Sequence, residues 1–204
     1  MLHFQQLVSL QDRLTHGWHQ AEPESDPAAA DNWLQLVTRQ HRANFDLWHI
    51  EDEARDPLAT DSQMASTKRR IDRTNQLRND LVEQLDLALL AWLSQRQLPN
   101  ATAPLHSETA GLIIDRLSIL SLKIFHTREQ AQRADAPEGH RERSLERLAV
   151  LEEQRADLAD CLGQLWDQTL AGSRRFKLYR QLKMYNDPAL NPAIYGKNSP
   201  AEAR

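Results

Sequence analysis

Hydrophobic positions recur at three- and four-residue steps along most of the chain, the pattern of amphipathic helices rather than of alternating strands. Five segments carry it. The first covers residues 2–19, with Phe4, Leu7, Val8, Leu10 and Leu14 on one side. AEPESDPAAAD breaks the period and reads as a linker over residues 20–30, with Asp31 placed to cap a second helix. That helix is expected to stop at Asp56, because Pro57 disfavours helical geometry in the residue before it. The third starts near Asp61 or Ser62 and runs to about Arg96 without an internal glycine or proline. After QLPNATAPLH, Ser107 is placed to cap a fourth, SETAGLIIDRLSILSLKIFHTREQAQRA, which ends before DAPEGH. The fifth spans about 140–171.

The apolar positions of these segments differ in kind. The fifth presents Leu148, Leu151, Arg155, Leu158, Leu162 and Leu165, an almost wholly aliphatic seam suited to a bundle. The fourth is apolar nearly all round, which predicts a central position. With 204 residues, six glycines and no shift in composition, the chain is expected to form a single domain over 1–204. The fold class is all-α, an antiparallel helical bundle of about five long helices with an irregular C-terminal extension.

The second segment raises the functional question. Taken at helical spacing, its stripe reads Leu34, Val37, His41, Asn44, Trp48, Glu51 and Arg55, so a line that begins apolar turns polar within NFDLWHIEDEARD. The third has the seam Ile71, Asn75, Arg78, Val82, Leu85, Leu89 and Trp92, interrupted once and flanked by Asp72 and Asn79. The fourth carries Glu108, Asp115 and Arg116. An unpaired buried polar group costs about 1–3 kcal/mol, and an unpaired charge more, so such groups demand partners. One answer is a closed network of ion pairs that fixes helix register. The other is a cavity for a metal or polar ligand, with Glu51, Asp72 and Asp115 as hard oxygen ligands for Mg²⁺ or Mn²⁺, and phosphate accompanying the cation.

Register matters to both answers. In a symmetric hairpin of the third and fourth helices, Asn75 and Asn79 lie level with Lys123 and His126, leaving Asp115 roughly 12–18 Å away. Either the fourth helix is displaced along the third, or the bundle holds two polar layers.

Composition narrows the chemistry. A formal charge of −4 argues against general nucleic-acid binding. A single cysteine, Cys161, excludes an intrachain disulfide and a thiolate metal cluster. No leader or membrane-length apolar run is read, so the expected compartment is the cytoplasm, with no membrane span. No glutamate has a histidine three residues later, and His-Glu-x-x-His is absent, which argues against ferritin-like di-iron and zinc-protease sites. The eight histidines are scattered, and only His41 and His126 fall on helical seams.

The C-terminal stretch SRRFKLYRQLKMYNDPALNPAIYGK interleaves Arg174, Arg175, Lys177, Arg180 and Lys183 with Phe176, Tyr179 and Tyr185. Basic and aromatic residues together suit a phosphorylated ligand or an anionic surface, and a solvated chain end explains the charges equally well. Residues 174–195 are expected to fold back as a lid or coil, with Leu190, Ile194 and Tyr195 to bury, and residues 196–204 to form a disordered tail.

The segments NFDLWHIEDEARD, IDRTNQLRNDLVEQLD, ETAGLIIDRLSILSLKIFH and YRQLKMYNDPALNP together resemble the bacterial family called domain of unknown function 4254 over about residues 30–195. The resemblance implies a bacterial, cytoplasmic protein linked to gene clusters for lipopolysaccharide or other surface glycans. It brings no catalytic residue with it.

Two functions follow as expectations. The first is a metal-dependent hydrolase or transferase acting on a nucleotide or sugar phosphate. In it Glu51, Asp72 and Asp115 ligate the metal, Asn44, Asn75 and Asn79 orient substrate, and Arg55, Arg78, Arg116, Arg180 and Lys183 hold phosphate. Glu108 is then the general base. The second is a non-catalytic accessory protein of surface-glycan assembly, partnering a glycosyltransferase or a second copy of itself.

Overall fold

The computed structural model describes residues 4–20, 32–180, 182 and 189–190. Five helices account for the body: α1 (Phe4–Gln20), α2 (Asn32–Glu53), α3 (Asp61–Ser94), α4 (Ala110–Gln132) and α5 (His140–Leu170). The chain is an all-α bundle, as its periodicity predicts, and among the described residues no helix is long and apolar enough to cross a membrane. Gln20, expected to open the linker, closes α1; the rest of the linker, the proposed Asp31 cap, Lys183, Tyr185, Ile194, Tyr195 and the tail at 196–204 lie outside the described residues.

Helix α4 touches all four others, the central place expected of a segment apolar on most of its circumference. Its Ile113, Ile114 and Leu117 share one buried cluster with Leu85, Leu89 and Leu93 of α3, Leu162 and Leu165 of α5, Val37 of α2 and Leu7 of α1. The inward line of α1 differs from expectation. Among its residues from Gln6 onward, Leu7, Gln11 and Thr15 are buried, whereas Leu10 and Leu14 are only half-buried. The α1 stripe therefore becomes polar as it runs, as the α2 stripe does. Of the stripe expected on α2, Leu34 is exposed and Val37, His41 and Asn44 are buried.

Local signals set the ends. Thr60 caps α3 in a reciprocal box with Gln63. The cap of α4 is Thr109, not Ser107: its hydroxyl accepts from the Leu112 backbone N–H at 3.2 Å. Asp86 of α3 accepts from the Gly111 N–H at 2.7 Å, so a second orphan donor of that turn is satisfied from a neighbouring helix. Gly111 is required there. A Cβ at this position would lie 2.8 Å from the Val82 carbonyl oxygen and 2.8 Å from Asp86 Oδ1.

This close crossing settles the register. Asp86 meets Gly111, and Arg78 meets Asp115, where a symmetric hairpin would have set Arg78 against Lys123. Helix α4 is thus displaced by about four residues at Asp86 and about eight at Arg78, or roughly 6–12 Å. The longer displacement includes the reach of the arginine side chain. A second polar layer exists as well: Arg155, the single interruption in the α5 seam, holds both oxygens of Asp12 on α1 at 2.8 Å, and Ser121 of α4 donates to the same carboxylate.

After α5 the chain turns at Gly172, whose φ of 69° is the left-handed conformation that glycine favours, and runs beside the α3–α4 connection. Arg175 exchanges backbone hydrogen bonds with Pro104 and His106 at 3.0 and 2.7 Å, and Phe176 is buried in the core. Residues 174–176 are therefore part of the body. Leu190, expected to be buried, is 54% exposed.

Candidate functional site

The polar stripe of α2 does two things in succession. Its first half enters a buried hydrogen-bond chain, and its second half lines an open groove.

The chain begins at α1. The Thr15 hydroxyl lies 2.9 Å from His41 Nε2, and His41 Nδ1 lies 2.7 Å from the Ser118 hydroxyl of α4. The His41 ring is fully buried and stacks on Trp18 at 5.3 Å, and burial pushes its pKa down to about 4. It is neutral at physiological pH, and the two hydroxyls can serve either tautomer. Asn44 Nδ2 donates to Ser118 Oγ and to Asp115 Oδ1, both at 2.9 Å. Asp115 Oδ1 also accepts from Gln40 Nε2 at 2.6 Å and from Arg78 Nε at 2.8 Å, and its Oδ2 accepts from Arg78 Nη2. Asp115 thus accepts four hydrogen bonds, three at Oδ1 and one at Oδ2, about the number a carboxylate can accept. The Arg78 pair is a fork, which holds the guanidinium in one plane, and the carboxylate raises the arginine's pKa further.

Arg78 is where the network reaches the surface. Together with Asn44, Leu47, Trp48, Glu51, Asp52, Arg55, Ile119 and Leu122 it lines a groove of about 330 Å³ between α2, α3 and α4. Leu47, Ile119 and Leu122 give the groove an apolar part, Trp48 an aromatic one, and Glu51, Asp52 and Arg55 a charged one. Arg55, two residues past the end of α2, bonds back to that helix, to the Glu51 carbonyl at 2.7 Å and Asp52 Oδ1 at 3.3 Å, and remains largely exposed. Trp48 is braced from behind by the His126 ring, 4.7 Å away and nearly parallel.

Of the residues singled out by sequence, Asn44, Glu51, Arg55 and Arg78 therefore meet in one place. Asn75 stands beside them, accepting from Arg78 Nη1 at 3.4 Å. Others do not join. Asp72 is exposed and pairs with Lys68 one turn away. Asn79 is half-buried and does not line the groove. Arg116 Nη1 donates to both carboxylate oxygens of Glu108, at 2.8 and 2.9 Å, on another side of α4. There they line a cavity of about 680 Å³ that also includes His106, Lys123 and Asp157. Arg180 is exposed and away from the groove lining.

The three carboxylates expected to share one cation do not converge. Glu51 is in the groove, Asp72 lies on the outer face of α3, and the oxygens of Asp115 are occupied by hydrogen-bond donors. Glu108, expected to act as base, is likewise held by its ion pair with Arg116, away from Glu51 and Arg78.

Periodicity missed several members of the network. Gln40 precedes the His41 stripe by one residue, and Ser118 is small enough to pass for packing in an apolar helix. A signal for Ser118 exists: it follows Asp115 by three residues and so shares its face. Asp86 was also missed; burial raises its pKa to about 6 against the hydrogen bonds from Thr109 and Gly111 that lower it. Three histidines on three helices, His19, His49 and His126, gather behind Trp48, and no motif along the chain could have shown it.

No curated protein and no solved structure matches the chain. A family model described as "Protein of unknown function (DUF4254)" matches residues 34–178, which takes in all of α3, α4, α5 and nearly all of α2. On that match, which covers well over half of its length, the chain belongs to the DUF4254 family.

Proposed function

We propose that the groove binds a sugar phosphate and that the protein is a metal-dependent hydrolase or transferase acting on it. The observation that carries this reading is Arg78: a guanidinium locked in plane by a buried carboxylate, lining a groove beside an aromatic ring and two carboxylates. A guanidinium so fixed binds a phosphoryl oxygen with little loss of side-chain entropy. Trp48, braced by His126, suits the apolar face of a sugar ring, and Glu51 and Asp52 suit its hydroxyl donors.

Charge argues for a cation arriving with the substrate. Glu51 and Asp52 oppose a phosphoryl group, and Arg55 is already paired with both. Their oxygens fit Mg²⁺ or Mn²⁺ bound with several of its waters; bound there, the ion would neutralise phosphoryl charge. In this reading Arg78 orients the phosphoryl group, and Glu51 takes the place of Glu108 as the carboxylate within reach of the substrate. Asp72 and Asp115 have no metal role.

Calorimetry of the intact chain with hexose 1-phosphates and nucleoside diphosphate sugars, each with and without Mg²⁺, tests this. Expected are binding that requires Mg²⁺ and a loss of tenfold or more in Trp48→Ala and Glu51→Gln. No binding at millimolar ligand across that panel would remove the reading. The alternative is then favoured, a non-catalytic accessory protein of surface-glycan assembly. The closed bonding of Asp115 supports it, because that network accounts for the polar interior without any ligand.

A further inference from the structure

We propose that His19, His49 and His126 form a site for a first-row transition-metal ion of the Zn²⁺ type, separate from the groove and from any Mg²⁺ in it. One ring nitrogen from each lies within 4.8 Å of the other two, and among the described residues this is the group of three or more histidine, cysteine or carboxylate donors so placed.

Hydrogen bonding determines which nitrogen is available. His19 Nδ1 donates to the Thr15 carbonyl at 2.7 Å, and His49 Nδ1 donates to the Phe45 carbonyl at 2.8 Å. A carbonyl only accepts, so both rings carry their proton on Nδ1 and expose a lone pair on Nε2. His126 Nδ1 lies 2.9 Å from Glu129 Oε2, which fixes the same tautomer. Each imidazole thus has the outer partner that metal-binding histidines ordinarily have, a backbone carbonyl twice and a carboxylate once. Meanwhile Nε2 of His19 and Nε2 of His126 are buried with no hydrogen-bond partner. Lone pairs brought together and left unpaired are what a cation would satisfy.

The ring positions are held from outside as well. His19 stacks on Phe125 at 4.1 Å, Phe45 lies 4.4 Å from His49, and His126 stacks on Trp48. Tetrahedral coordination at about 2.0–2.1 Å sets nitrogens about 3.4 Å apart, so modest closing of the rings completes the triad. All-imidazole donors select Zn²⁺, Cu²⁺ or Ni²⁺ over Mg²⁺ or Ca²⁺. Three protein ligands leave a fourth position open. The ion would join the last turn of α1 to α2 and α4.

The test uses the tag-free full chain, stripped with chelator and titrated with Zn²⁺ and, separately, Co²⁺. One equivalent should bind, with the visible absorption of four-coordinate Co²⁺ and a thermal midpoint that climbs with free Zn²⁺. His19→Ala and His126→Ala should lose at least 100-fold in affinity, and Glu129→Gln, which leaves all three ligands in place, 10–100-fold. His16→Ala, on the same helix but outside the triad, should bind as the unaltered chain does. Absence of uptake at micromolar Zn²⁺, or uptake unchanged by His19→Ala and Glu129→Gln, overturns the proposal. Because the readout is the metal alone, its failure is distinct from failure of sugar phosphate binding in the groove.

Discussion

Arg78 of α3 and Asp115 of α4 are joined edge to edge, Nε to Oδ1 at 2.8 Å and Nη2 to Oδ2, with the carboxylate side chain 7% exposed and the guanidinium 23%. The same carboxylate is held by Gln40 and Asn44 of α2. One buried charge therefore ties three helices, and its removal strands donors from two of them.

Asp115→Ala is accordingly expected to destabilise the fold by about 3–5 kcal/mol, because it leaves the guanidinium and two amides without their acceptor. Asp72→Ala removes an exposed pair within one helix and should change stability by no more than about 0.5 kcal/mol. Urea unfolding of both variants checks the contrast. Similar small effects would show that Asp115 is not the keystone its bonding implies.

Gly111 and two other helical glycines make a second test. A Cβ at Gly111 meets the Val82 carbonyl, a backbone atom that can move only with α3, whereas Gly17 and Gly163 have nothing within 4 Å. Gly111→Ala should lower stability by roughly 1–3 kcal/mol through overpacking. Gly17→Ala and Gly163→Ala should raise it by roughly 0.5–1 kcal/mol each, the ordinary gain in a helix. Thermal unfolding of the three single variants separates them by sign.

Acid stability should reveal two buried groups that work against each other. Folding lowers the pKa of His41 from 6.5 to about 4, so its contribution is complete above about pH 6.5 and is lost as pH falls through 4. Folding raises Asp86 from 3.8 to about 6, so its contribution is complete below 3.8 and is lost as pH rises through 6. Each is worth about 3 kcal/mol at most, and between pH 7 and 4.5 they offset one another. Asp86→Asn keeps an acceptor for the Gly111 N–H and removes the titration. It should be more stable than the unaltered chain at pH 7, by about 1–3 kcal/mol, and should lose that advantage by pH 4.5. An advantage of the same size at both pH values would mean that Asp86 does not titrate in this window.

The helices were legible because their burial is periodic, and the central place of α4 because its apolar surface has no polar side wide enough to face water. The joining of Asn44, Arg78 and Asp115 was legible only as one of two alternatives. Nothing in the periodicity of α3 or α4 reports a displacement along their common axis; the contact that does, Gly111 against Val82 and Asp86, depends on an absent side chain. Asp72 and Asp115 look alike as acidic residues beside a seam, yet one faces solvent and the other the interior, since a stripe read to within one residue does not distinguish a flank from a face. His19, His49 and His126 lie 30 and 77 positions apart along the chain, and only the tertiary fold makes them neighbours.

The central place of α4 also dictates an order of assembly. Synthesis delivers α1, α2 and α3 first, and with them His41, Gln40, Asn44 and Arg78, whose hydrogen-bond partners Asp115 and Ser118 belong to a helix not yet made. Until about residue 118 has left the ribosome, these polar groups have water as their alternative, and the apolar residues that α1, α2 and α3 turn toward α4 have nothing to cover them. The nascent half-chain therefore has little beyond the α2–α3 pairing to hold it, and native structure arrives late, when α4 meets the three helices already made and α5 then packs on it. Chains terminated before α4 should remain unfolded and be cleared as such, while chains that carry both α4 and α5, its most extensive partner, should recover the bundle in a single cooperative step.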